Sequence, residues 1–122
     1  MIDDTKYIQD WSDSDKDSLL SEVTANCKIT PNKVLACGSR VYWEGFKPES
    51  DVDILVYIND GLERPNSHSF EYEGKRVVII YQNDNEFGRK VAGCQLSVYD
   101  LTNRKMYAGD KNDEAVFKSK RG

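Results

Sequence analysis

Residues Val34–Tyr57 read VLACGSRVYWEGFKPESDVDILVY, and this stretch decides the fold. An apolar run, Lys33 to Cys37, reads as a buried strand. Gly38-Ser39 turns the chain into a short helix over Arg40 to Trp43, which Gly45 ends. Lys47-Pro48-Glu49-Ser50 forms a loop back to a second strand, Asp51 to Ile58. Side chains alternate along a strand, so Asp51 and Asp53 point to one side while Val52, Ile54 and Val56 pack on the other. Two carboxylates so close repel unless a positive charge sits between them, and a hard divalent cation such as Mg²⁺ or Mn²⁺ prefers such oxygen ligands. The Gly38-Ser39 corner opens a helix whose first N–H groups lack internal partners, a setting that attracts anions. Ser39 can cap the helix or offer its hydroxyl to a phosphate, and Arg40 adds a fixed positive charge.

An apolar strand ending in Gly-Ser, then an Asp-apolar-Asp within a second apolar strand, resembles the signature of the DNA polymerase beta superfamily of nucleotidyltransferases. Leu35-Ala36-Cys37-Gly38-Ser39 and Ser50-Asp51-Val52-Asp53-Ile54-Leu55-Val56 carry the resemblance, together with Gly38-Ser39-Arg40 and, after four intervening residues, Gly45. It is specific over about residues 33 to 58 and looser to about residue 81. The implied fold is α/β (α+β), a mixed sheet of about four to six strands with helices packed on it. The implied activity is transfer of a nucleoside monophosphate from a nucleoside triphosphate to a hydroxyl. Asp51 and Asp53 would then bind the metal, with Gly38, Ser39 and Arg40 at the triphosphate. Larger relatives append a helical domain for the acceptor, for which this chain lacks room. A helical partner protein or a homo-oligomer is therefore expected to complete the site.

One position departs from the family pattern. Laying Gly74-Lys75-Arg76-Val77-Val78-Ile79 on the family's Gly-x-apolar-Asp-apolar motif puts Val78 where a third carboxylate belongs. Glu71, Glu73, Asp84 and Asp100 are the acids that a different strand offset would bring there. The alternative function is thus a catalytically impaired relative, acting as a nucleotide-binding or a protein-interaction module of antitoxin or decoy type.

At 122 residues the chain suits a single domain. No transmembrane run and no secretory signal are legible, so a cytoplasmic protein is expected. A formal charge of −4 argues against extensive nucleic-acid binding but not against a metal-neutralised nucleotide. Cys27, Cys37 and Cys94 lack metal-ligand spacing and read as reduced, with Cys37 a small buried group. His68 is the only histidine, which removes His-clustered zinc sites; it reads as a solvated loop or strand-end residue. Lys47 reads as a solvated loop lysine in preference to a phosphate contact.

Outside the central stretch, residues 1 to 12 are expected as a short helix or a flexible arm pressed on the domain. Ser14 is expected to cap a helix over 14 to 27 with Leu19, Leu20, Val23 and Cys27 on one face. Glu73-Gly74 should join two strands, Ser69 to Tyr72 and Lys75 to Gln82, as a hairpin. Val77 to Tyr81, apolar on both faces, should lie beside the aspartate strand. A helix over 83 to 93, a short hairpin over 96 to 107 and a frayed tail over 110 to 122 complete the reading.

Overall fold

The computed structural model describes residues 1–84 and 98–107. Its framework follows from alternation in the central strands. In β2 (Val52–Ile58) the side chains of Val52, Ile54, Val56 and Ile58 are fully buried in the main core, whereas Asp53, Leu55 and Tyr57 face the other side of the sheet. β1 (Lys33–Cys37) pairs antiparallel with β2, Cys37 opposite Asp53, and sends Val34 and Ala36 into the same core. The remaining strands are β3 (His68–Tyr72), β4 (Lys75–Asn83), β5 (Val98–Asp100) and β6 (Lys105–Tyr107). They complete a six-stranded mixed sheet in the order β3-β4-β2-β1-β5-β6, so the fold is α+β.

The Glu73-Gly74 hairpin forms as expected. Both residues have positive φ, 51° and 78°, the twist that a two-residue hairpin turn requires. β4 then returns parallel to β2, with Val77, Ile79 and Tyr81 in the core. Its opposite face is not buried throughout as expected, since Ile80 is exposed. The β5–β6 turn is closed by Asp100, whose carboxylate accepts from the Thr102 and Asn103 backbone N–H groups and from Asn103 Nδ2.

Helix α1 (Asp13–Asn26) lays Leu19 and Val23 on the core face of the sheet. Ser12, not Ser14, caps it by accepting from the Asp15 N–H at 3.2 Å, with Asp13 and Asp15 in the first turn. Within residues 1 to 12 a short helical turn, Ile8–Asp10, forms, and Ile2, Ile8 and Trp11 pack into the core. Ile8 and Trp11 are buried, and the Trp11 indole N–H lies within hydrogen-bonding distance of the Asp3 and Lys6 carbonyls. Arg104 ties the β5–β6 turn back to Asp13 and Asp17 of α1. A smaller apolar cluster, Leu35, Tyr57 and Val98, lies on the opposite face of the sheet. Of the helix expected over 83 to 93, Asn83 instead ends β4, and residues 85 to 93, like the tail over 110 to 122, lie outside the described residues. Among the described residues no helix is long and apolar enough to cross a membrane.

Candidate active site

β1 stops at Cys37 because Gly38 leaves the strand with φ +76° and ψ −163°, a conformation that side-chain-bearing residues rarely adopt. The next residues form α2 (Ser39–Tyr42), whose first turn is closed by Val41 N–H donating to the Gly38 carbonyl at 3.0 Å. Gly38 is needed for space as well. A β-carbon there would meet the Asp53 carboxylate, 3.0 Å from its Cγ and closer still to Oδ2. The carboxylate thus rests on bare backbone at the strand-to-helix corner.

Asp51 immediately precedes β2 and is half-exposed, with Arg76 Nη1 3.6 Å from its Oδ2. Asp53, two residues on, is more enclosed. Burial raises its pKa above the usual carboxylate range, the neighbouring Asp51 charge adds to the rise, and Arg76 opposes it. The pair expected from the alternation is therefore assembled, with a guanidinium beside it that the sequence reading did not single out. Arg76 lies on β4, and its one legible signal was its place two residues before Val78 on a strand adjoining β2. Cys37 is also different from expectation. It is half-buried and stands opposite Asp53 in the β1–β2 register, on the site's face.

No acid stands at the β4 position beside Asp53. Val78 is in register with Asp53 across the β2–β4 pairing. Glu73 is engaged elsewhere, accepting from the Ile2 N–H at 2.9 Å. Asp84 pairs with Lys33 at 2.6 Å, and Asp100 closes its own turn. Glu71 lies opposite Arg76 on β3, two strands from β2 and two residues along the strands from the Asp53–Val78 pair, which puts it about 12 Å from Asp53 at ordinary strand geometry. Among the described residues no cluster of three or more acid, cysteine or histidine side chains can hold a metal.

Arg40 is turned inward. Its fully buried guanidinium donates from Nε to the Ser50 carbonyl and from Nη2 to the Pro48 carbonyl, each at 3.0 Å, and ion-pairs with Asp4 at 3.0 Å. It staples α2 to the 47–50 loop and to the N-terminal segment. The Ser39 hydroxyl makes no hydrogen bond among the described residues. His68 opens β3 and stacks on Tyr81, its Nε2 2.8 Å from the Tyr81 hydroxyl. Burial, aided by the Lys28 charge, lowers its pKa.

The environment of Asp53 has a pH signature. Its native pKa lies above its unfolded value, so between the two the native state holds more protons and stability falls as pH rises through that window. Asp53→Asn should remove that loss and raise the neutral-pH melting temperature in the absence of divalent cations. A variant less stable than wild type at pH 7, with the slope retained in acid, would show that Asp53 is not the strained group.

Compared with protein-family models, with curated proteins and with solved structures, the chain matches none.

Proposed function

We propose that the chain is a minimal nucleotidyltransferase of the polymerase beta type, one that binds a Mg²⁺- or Mn²⁺-nucleoside triphosphate more readily than it turns it over. The observation that carries the reading is the Asp53 carboxylate, held half-buried on the bare Gly38 backbone beside Asp51. Such an arrangement opposes ionisation and gains most from a cation. The donor set fits that ion, since Mg²⁺ is commonly held by one or two carboxylates together with substrate phosphates. When bound, the ion neutralises phosphate oxygens and the charge developing on departing pyrophosphate.

The chain's own residues divide the remaining work. Asp51 and Asp53 hold the ion, Gly38 leaves the room in which the Asp53 carboxylate sits against the backbone, and the Ser39 hydroxyl donates to a phosphate oxygen. Arg76 balances the paired carboxylates before a ligand arrives. With Val78 opposite Asp53, no described carboxylate adjoins the pair to take the proton of an attacking hydroxyl. Turnover by the chain alone is therefore slow or absent. A helical partner or a second copy that contributes an acid would supply it. The same valine favours a second reading, a nucleotide-binding or interaction module without catalysis of its own.

The test is a thermal-shift and calorimetric titration with Mg²⁺ or Mn²⁺ and each nucleoside triphosphate. Ligand binding stabilises by mass action, so metal and nucleotide together should raise the melting temperature, and Asp51→Asn should abolish most of the rise. A wild-type melting temperature indifferent to both would sink the reading. Incubation with nucleotides radiolabelled at the α-phosphate separates the two versions: labelled product means an active transferase, and binding without label means a silent one.

A further inference from the structure

Trp43 is the C-terminal neighbour of α2, and its N–H donates to the Ser39 carbonyl at 2.9 Å, one helical turn from the corner residue. Its own carbonyl accepts from the Phe46 N–H at 3.1 Å, closing a turn through Glu44 and Gly45. Backbone bonds therefore fix Trp43 on both sides. The indole lies over Gly45, where a β-carbon would fall 2.8 Å from Cε2 and 2.9 Å from Cζ2. Gly45 was expected as a helix terminator, a role glycine fills by adopting positive φ. It is not among the positive-φ glycines, and what it supplies is room for the ring. Yet 53 % of Trp43 remains exposed. A large ring laid against the Gly45 backbone and half in water offers a flat face to a ligand.

We infer that the Trp43 indole, seated on Gly45 one turn beyond Ser39, is the stacking platform for the base of the bound nucleoside triphosphate. The inference rests on the nucleotide reading above and extends it to the base. The surroundings do not suit a protein partner. Besides Tyr42 next to it, the large exposed apolar side chains among the described residues, Met1, Leu62, Ile80 and Met106, lie on other segments, and Glu44, Lys47 and Glu49, which follow Trp43 in the chain, are exposed polar residues. That is a single aromatic surface rather than a broad apolar patch. Stacking is available to every base, so the platform predicts a mild preference for purines over pyrimidines and no strict choice among nucleotides.

The full-length chain can be titrated with Mg²⁺ and ATP, CTP or inorganic tripolyphosphate, following tryptophan fluorescence and calorimetric heat. The chain has two tryptophans, and the buried Trp11 serves as the silent reference. ATP should quench saturably, CTP less, and tripolyphosphate should bind without quenching. Trp43→Ala should weaken ATP roughly tenfold or more while leaving tripolyphosphate unchanged, and Trp43→Phe should restore most of the affinity. Gly45→Val, which displaces the ring without removing it, should weaken ATP alone and serves if the alanine variant does not fold. Equal ATP affinity in wild type and in both variants, with tripolyphosphate still bound, would overturn the platform and leave the nucleotide reading standing. Failure of wild type to bind either compound overturns both. Unchanged ATP binding with lost self-association in Trp43→Ala would assign the ring to a protein interface instead.

Discussion

Gly38→Val is expected to destabilise the chain by roughly 2–5 kcal/mol, a large share of a small domain's total stability. Two independent penalties combine. A β-branched residue at φ +76° occupies the left-handed side of backbone space, at a cost of about 1–2 kcal/mol. Its β-carbon also falls against the Asp53 carboxylate, an overpacking worth about 1–3 kcal/mol. A double-mutant cycle separates them. Combining Gly38→Val with Asp53→Ala removes the obstructing oxygen and should recover the packing part while leaving the backbone part. Urea midpoints at a constant m-value provide the readout. A Gly38→Val midpoint equal to that of wild type would mean that the corner does not have this geometry. Strict additivity in the cycle would mean that Asp53 is not what the new side chain meets.

Arg40→Ala should be comparably severe, about 3–5 kcal/mol, because it removes one partner from a buried ionic cluster. The Ser50 and Pro48 carbonyls lose their guanidinium donors, and among the described residues Asp4 keeps only Lys75, at 3.1 Å. The guanidinium also lies 5.3 Å from the Phe46 ring centre, a contact that alanine cannot replace. Arg40→Lys should rescue little, since a single ammonium cannot reproduce the planar fork that reaches the two carbonyls and the carboxylate. The N-terminal segment should become open to proteolysis, with the melting temperature falling in parallel. If Arg40→Ala instead folds with wild-type stability and loses triphosphate affinity, the residue is a phosphate contact and the staple is wrong.

These two substitutions mark how far the site was legible. The Gly38 corner, the alternation of Val52, Ile54 and Val56 against Asp53, and the Glu73-Gly74 turn were all readable because each is governed by backbone geometry over a few consecutive residues. The absence of an acid at position 78 was readable for the same reason, once β4 was expected beside the aspartate strand. The parallel register that sets Val78 opposite Asp53 agrees with that expectation.

Local periodicity carries no information about where a long side chain ends. Arg40 sits where a phosphate ligand was expected, but its guanidinium is drawn inward by carbonyls eight and ten residues along the chain and by an acid in the N-terminal segment. Arg76 meets Asp51 only because β4 crosses back to lie beside β2. The burial of Ile8 and Trp11 depends on a core that is complete only when the sheet is assembled. The sequence by itself therefore determined the strands, the corner and the side of the sheet on which the two carboxylates stand, since backbone sterics act between near neighbours. Only the tertiary structure decided which charges meet those carboxylates and which arginine is spent on the fold, because flexible side chains take their positions from partners distant in the chain.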